Sequence, residues 1–256
     1  MKIIENYDYI LSIGAFFEDE KLKNSLQKAS SNGADFIYMH PIDNFELKDF
    51  YTQFIKYEVA SEEAILALIF NFFAKKLPKE QQDFLENLDI GYLSAESSAG
   101  EEEFEEAFLK FEEASKKALV IGDDLIKHAR VENIVKLLAN IKKYTDFELI
   151  FCDKTFEEKV NSCSDLSLDE VDDLQTFNGT LVYFTNTQNN EKLLASQTFL
   201  NIAKLKSGDT ASFKIDDKIY KKELILDRNL LGTIALISEP TLNYRFVKIV
   251  LNKEQN

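Results

Sequence analysis

Two short turns hold the residue types that chemistry would need. Gly14-Ala15-Phe16-Phe17-Glu18 follows the apolar run 9–13 (YILSI), and Gly122-Asp123-Asp124 follows the apolar run 118–121 (ALVI). A glycine between a buried strand and a helix is where α/β proteins hold phosphates, because backbone N–H groups and the helix dipole face the anion there. Neither turn carries GxGxxG. In the first, two Phe side chains and an acid would block or repel a pyrophosphate. In the second, two carboxylates at an expected helix N-terminus satisfy the dipole themselves. There is no GxxxxGK[ST] to cradle phosphates and no GxSxG nucleophile elbow.

The other candidates stand alone. His40 follows the run 35–39 (DFIYM) and precedes Pro41, so it sits at the carboxyl end of a strand, where α/β sites lie. It is the best single candidate for acid–base work, against a plain polar turn residue. His128 is expected to be exposed near a helix start. Cys152 and Cys163 are too far apart for a C-x₂₋₄-C metal pair, and iron–sulfur clusters need about four thiolates. The acidic run 101–106 (EEEFEE) lacks the spaced acids and turn glycine of an oxygen-ligand loop. It is read as a solvated helix face, with Phe104, Phe108 and Phe111 packed behind it or offered to a partner groove. No catalytic, cofactor-binding or metal-binding residue is assigned.

Composition narrows the function classes. The chain has 256 residues, of which 45% are hydrophobic and 29% charged, as expected of a folded protein. The formal net charge of −15 disfavours nucleic acid and bare anionic membrane as partners and suits a basic protein surface. The apolar run 64–74 is short of the roughly 20 residues needed to span a bilayer. The start, MKIIENYDYILSIG, does not read as a secretory signal. With two cysteines and no export signal, reduced thiols and a cytoplasmic location are expected.

The elements follow from periodicity. A strand over 9–13, a helix over 21–32 stopped by Gly33, and a strand over 35–39 closed by Pro41 make a β-α-β unit. An amphipathic stretch over 45–54 and a short strand-like 55–59 come next. An apolar helix over 64–76 opens on Ser61-Glu62-Glu63, and a helix over 78–88 follows. An exposed loop is expected over 94–100, then an acidic helix over 101–113. Strand, glycine, helix and strand recur over 118–121, 132–143 and 148–152. Beyond a polar stretch, strands are predicted over 180–184, 211–215, 219–226, 232–237 and 244–251, with one helix over 195–205. The organisation predicted is an α/β fold: a duplicated Rossmann-like domain over 1–155, an acidic linker over 156–177, and a β-rich module over 178–256.

YILSIG, KNSLQKASSNGADFIYMHPID and SEEAILALIF together resemble the molybdopterin-oxidoreductase fold, with Gly14, Gly33-Ala34, Pro41 and residues 62–69 on its pattern. KALVIGDD with VENIVKLLANI resembles a later strand–helix unit of that fold. FLNIAKLKSGDTASFKID with KKELILDRNLLGTIALI resembles its C-terminal β module. Within that family the chain resembles the C-terminal part of the large iron–sulfur subunit of bacterial NADH-quinone oxidoreductase (complex I), where this fold serves as a scaffold without its cofactor. The ferredoxin-like cysteines and the Gly- and Ser-rich pterin loops of the family are absent.

The resemblance implies a non-catalytic structural or docking subunit of a complex I-like assembly. It implies no cofactor and no direct membrane insertion. The partners expected are other subunits of the assembly or a soluble electron-donor protein, on the cytoplasmic side of the inner membrane. The start of the chain suits a short stand-alone subunit better than a fragment. Two rivals stand beside this: a Rossmann-like small-molecule or nucleotide-binding protein using Gly14, His40 and Gly122, and an acidic docking protein for a basic electron donor.

Overall fold

In the computed structural model, residues 3–171, 173–186, 191–241 and 243–253 are described. They fall into two compact units. One runs to Pro41 and resumes from Leu47 to Thr176; the other comprises Ile42–Glu46 and the described residues from Phe177 onward.

The first unit is built on β1 (Tyr9–Ile13), α1 (Glu20–Ser31), β2 (Asp35–Met39) and β3 (Gln53–Ile55). Helices α2 (Glu62–Phe73), α3 (Lys79–Glu86), α4 (Ile90–Ser97) and α5 (Glu101–Glu113) follow. Then come β4 (Lys117–Ile121), α6 (Val131–Tyr144), β5 (Glu148–Phe151) and α7 (Lys154–Asn161). The five strands form one parallel sheet in the order β3-β2-β1-β4-β5. The two units expected around Gly14 and Gly122 therefore lie side by side on a single sheet.

Both faces of the sheet are covered, which is why its strands are mostly apolar rather than alternating. Leu22, Leu26 and Ala29 of α1 pack with Ile10, Phe36 and Val120 on one face. Residues of α2, α5 and α6 pack with Leu11, Ile37, Leu119 and Leu149 on the other. Helix α1 starts at Asp19, whose side chain accepts from the Leu22 N–H. It ends in a Schellman motif: the Gly33 and Ala34 N–H groups donate to the Ser30 and Ala29 carbonyls, and Gly33 takes φ +86°. The predicted C-cap at Gly33 is thus observed. Helix α2 is buried almost all round, as its sequence EEAILALIFNFF requires.

Three expectations in this unit change. Residues 94–97 belong to α4, not to an exposed loop: Asp89 caps the helix by accepting from the Tyr92 N–H, and Leu93 and Ser97 are buried. Ser98 ends it with φ +58°. The third strand is Gln53–Ile55 rather than 55–59, because Tyr57 and Val59 turn into the core instead of pairing. The polar stretch after β5 begins with α7, capped by Asp153 accepting from the Phe156 N–H. Its continuation is tied down, since Asn140 Nδ2 and Gln81 Nε2 donate to the Leu166 carbonyl at 3.0 and 3.3 Å.

The second unit contains β6 (Leu181–Thr185), β7 (Lys192–Ala195), α8 (Gln197–Ala203), β8 (Thr210–Ile215) and β9 (Lys218–Leu226). It continues with β10 (Ile234–Ser238), β11 (Phe246–Lys248) and β12 (Asn252–Lys253). They form a mixed sheet in the order β11-β6-β10-β7-β9-β8-β12. β7 was not expected. It is four residues long, yet it bridges β10 and β9 and buries Leu193 and Ala195. The predicted strand 244–251 is instead two short ones, with β11 on β6 and β12 on β8. One run of chain therefore supplies both ends of the strand order. Lys248 and Asn252 can be no more than about 14 Å apart, so the sheet is curled until its edges approach. Inward-facing Val182, Leu193, Phe213, Leu224 and Ile237 fill its inside.

No helix among the described residues is long and apolar enough to cross a membrane.

Candidate functional site

In the order β3-β2-β1-β4-β5, the chain leads away from β1 toward one edge and away from β4 toward the other. The carboxyl ends of β1 and β4 are therefore the topological switch point, where open α/β sheets take ligands. Gly14 and Gly122 stand there, as their sequence context indicates.

The crevice is closed by the protein itself. The Gly122 N–H donates to the Ile13 carbonyl at 2.9 Å, and the Asp124 N–H to the Gly14 carbonyl at 3.3 Å. These amides, which a phosphate loop would aim at a ligand, are used inside the fold. A Cβ on Gly122 would fall 1.8 Å from the Gly14 carbonyl oxygen, and a Cβ on Gly14 would fall 2.3 Å from Leu125 Cδ1. Gly14 also holds φ +59°. Both glycines thus serve close packing. Phe17 of the first turn is buried against Phe36 and Tyr38, and Phe16 lies 5.4 Å from the His40 ring.

Beneath the turns lies a buried polar cluster. His40 Nε2 is 3.0 Å from Asp124 Oδ2, with both side chains fully buried. Tyr38 stacks on the His40 ring at 5.8 Å between centroids. Asp123 and Asp124 were expected at the N-terminus of the following helix. They open a 3-10 turn over Asp123–Lys127 instead, and α6 begins only at Val131. His128 was expected to be exposed; it is buried, with 6% of its surface accessible. Its Nδ1 accepts from the Arg130 N–H, and its Nε2 donates to the Ala60 carbonyl, both at 3.0 Å. Glu62 Oε2 lies 3.5 Å from the same Nε2. These bonds select the neutral tautomer protonated at Nε2. Burial pushes the His128 pKa below its ordinary value against the pull of the Ala60 carbonyl and Glu63. Tyr57 is wholly buried; burial, with the charges of Glu62 and Asp124, holds its phenol well above the usual range.

Glu63, the next residue of α2, is anchored differently. Arg130 Nε donates to both of its oxygens at 3.1 and 3.0 Å, and Asn133 Nδ2 to Oε1 at 2.6 Å. The same two residues hold the segment after α7. Asn133 Nδ2 donates to the Asp169 carbonyl and its Oδ1 accepts from the Asp169 N–H, while Arg130 Nη2 donates to the Glu170 carbonyl.

His40, Asp124, His128, Glu62 and Tyr57 include the pairs that general acid–base chemistry uses. His40, Asp124, Glu62 and Tyr57 are fully buried, and His128 nearly so. Among the described residues, no group of three or more His, Cys, Asp or Glu side chains is placed to hold a metal ion. Gly14, Gly122 and His40 are recognisable in the sequence as residues of this region, but nothing there joins His40 to Asp124. Tyr57 and Glu62 were missed entirely. The available signal was Glu62-Glu63 at the head of a helix that is apolar all round, which leaves no solvent face for two carboxylates.

No protein-family model matches the chain, and no curated protein is significantly similar to it in sequence. Among solved structures it is similar to acetylene hydratase from Pelobacter acetylenicus, with a TM-score of 0.32 and 15% identity. The match covers 45% of this chain and 18% of that chain. A likeness of this grade carries no argument about chemistry.

Proposed function

We propose that this chain is a non-catalytic scaffold, a docking subunit of a complex I-like redox assembly. One observation carries the non-catalytic half of the reading. The place where an α/β sheet takes its ligand is packed with the chain's own backbone, with Leu125, and with a buried His40–Asp124 pair. The same observation weighs against nucleotide binding at Gly122, where the Gly122 and Asp124 amides are committed to the Ile13 and Gly14 carbonyls. The assembly half rests on the sequence resemblance to the large iron–sulfur subunit of complex I and on the acidic composition, which suits a basic protein partner.

Isolation of the tagged chain from its native cells in mild detergent tests the reading. Quinone-oxidoreductase subunits recovered with it in fixed proportion would support it. Recovery of the chain alone, as a soluble monomer, would overturn the assembly half. A thermal shift on adding a nucleotide or flavin would overturn the non-catalytic half, since a ligand that binds only the folded state raises its stability.

A further inference from the structure

We infer that a groove on the first unit, between α3, α4 and the segment 168–171, is a docking site for a cationic amphipathic helix of a partner protein. The inference deepens the docking reading and rests on it for the existence of a partner.

The groove has a volume of about 690 Å³. Its apolar lining comes from half-buried Phe84, Leu88, Tyr92 and Leu168, which pack beneath onto the main core. Around them stand Glu80, Asp83, Asp89 and Glu170, and among the described residues no Lys, Arg or His is part of the lining. Asp83 meets Lys79 at 2.5 Å, and Asp89 caps α4. The Glu80 and Glu170 carboxylates have no partner among the described residues.

An apolar strip rimmed by one sign of charge matches a helix that presents apolar residues at i, i+3 and i+7 with Lys or Arg beside them. Such a partner buries its apolar side chains on Phe84 and Leu168 and sets its cations against the rim. The rim charges would steer its approach and fix its orientation. The site is pre-organised, which lowers the ordering cost of binding. Its far wall is held by the bonds from Arg130 and Asn133 to the 169–170 backbone and from Gln81 and Asn140 to the Leu166 carbonyl.

The test is a panel of 18-residue helical peptides with Leu on one face and Lys flanking it, added to the full chain and followed by amide chemical shifts. Controls are the same peptides with Glu for Lys, and with Leu scattered off the helical face. Saturable shifts centred on Phe84, Tyr92 and Leu168 are expected, weakened by salt, with both controls silent. The double substitution Glu80→Lys/Glu170→Lys touches exposed side chains and should weaken binding about tenfold or more while leaving the fold intact. Phe84→Ala should weaken it without changing the salt dependence. No peptide shifting these residues, binding unchanged in the double variant, or a scattered-Leu peptide binding as well would each overturn the inference. Groove binding without recovery of redox subunits from cells would leave this site standing and sink the assembly reading alone.

Discussion

His40 Nε2 lies 3.0 Å from Asp124 Oδ2, across 84 residues of sequence, with neither side chain in contact with solvent. The two meet because β2 and β4 flank β1, so the turns that leave them converge over its end. Such a hydrogen bond is costly to break from one side, because a buried polar group loses a partner that water cannot replace. Asp124→Ala should therefore lower stability by about 1–3 kcal/mol. The apolar double variant His40→Phe/Asp124→Leu should recover most of that. Urea unfolding of the three proteins checks both. A loss below about 1 kcal/mol in Asp124→Ala would mean that the pair is not part of what closes the crevice.

Gly122→Ala isolates the packing of the crevice. Gly122 has φ −85°, which any residue adopts, so backbone strain plays no part. The added methyl would sit 1.8 Å from the Gly14 oxygen and 2.3 Å from the Ala15 nitrogen, and neither can move without parting two strand ends. Overpacking of this kind costs about 1–3 kcal/mol, and the upper end is expected here because the opposing atoms are backbone. The thermal midpoint measures it. A wild-type midpoint would show that the two turns separate readily, and would reopen the ligand-binding reading.

The elements whose own residues carry a clear apolar run or stripe were legible in the sequence, and those that depended on partners were not. YILSI, DFIYM and ALVI are short, mostly apolar runs ended by Gly or, past His40, by Pro, and all three lie in strands of the parallel sheet. The stripe of Phe104 and Phe111 gave α5 correctly. SAESSAG is composed like a loop, but the Asp89 cap and the burial of Leu93 and Ser97 make most of it helix. KLLA is too short to signal a strand and exists because β10 and β9 both pair with it. At the site, Gly14, Gly122 and His40 were visible from strand ends. The pairing of His40 with Asp124 and the burial of His128 were not, since both depend on strand order, which single-sequence periodicity does not carry.

His128 should make stability fall with acid. Burial sets its folded-state pKa below the ordinary 6.5, while the unfolded chain titrates near 6.5. As pH falls through 6.5, the unfolded state binds a proton that the folded state refuses, so unfolding is favoured. The stabilising difference is complete above about pH 6.5 and shrinks progressively below it. His128→Gln keeps an acceptor for the Arg130 N–H and a donor for the Ala60 carbonyl but cannot titrate. Denaturation between pH 5 and 7.5 should give a steeper slope for the wild type than for His128→Gln. Parallel slopes would rule His128 out as the source.

Glu63 holds two parts of the first unit together, and its removal should loosen one more than the other. Its carboxylate receives Arg130 Nε and Asn133 Nδ2, and those residues in turn hold the backbone of Asp169 and Glu170. Glu63→Ala leaves the Arg130 and Asn133 side chains without their shared acceptor, so their grip on the segment weakens. The global cost should be about 1.5–3 kcal/mol, the scale of a hydrogen bond to a charged group, because Arg130 is half exposed and water can take over part of its role. The local effect should be larger. The Asp169 N–H donates to Asn133 Oδ1 and should exchange with solvent well before the amides of β1 and β4. Because Leu168 and Glu170 form a wall of the groove, peptide affinity should fall in parallel even though Glu63 does not line it. Hydrogen exchange resolved at Asp169, measured beside the peptide titration, checks both. Faster exchange with unchanged affinity would mean that the groove does not depend on its wall being fixed.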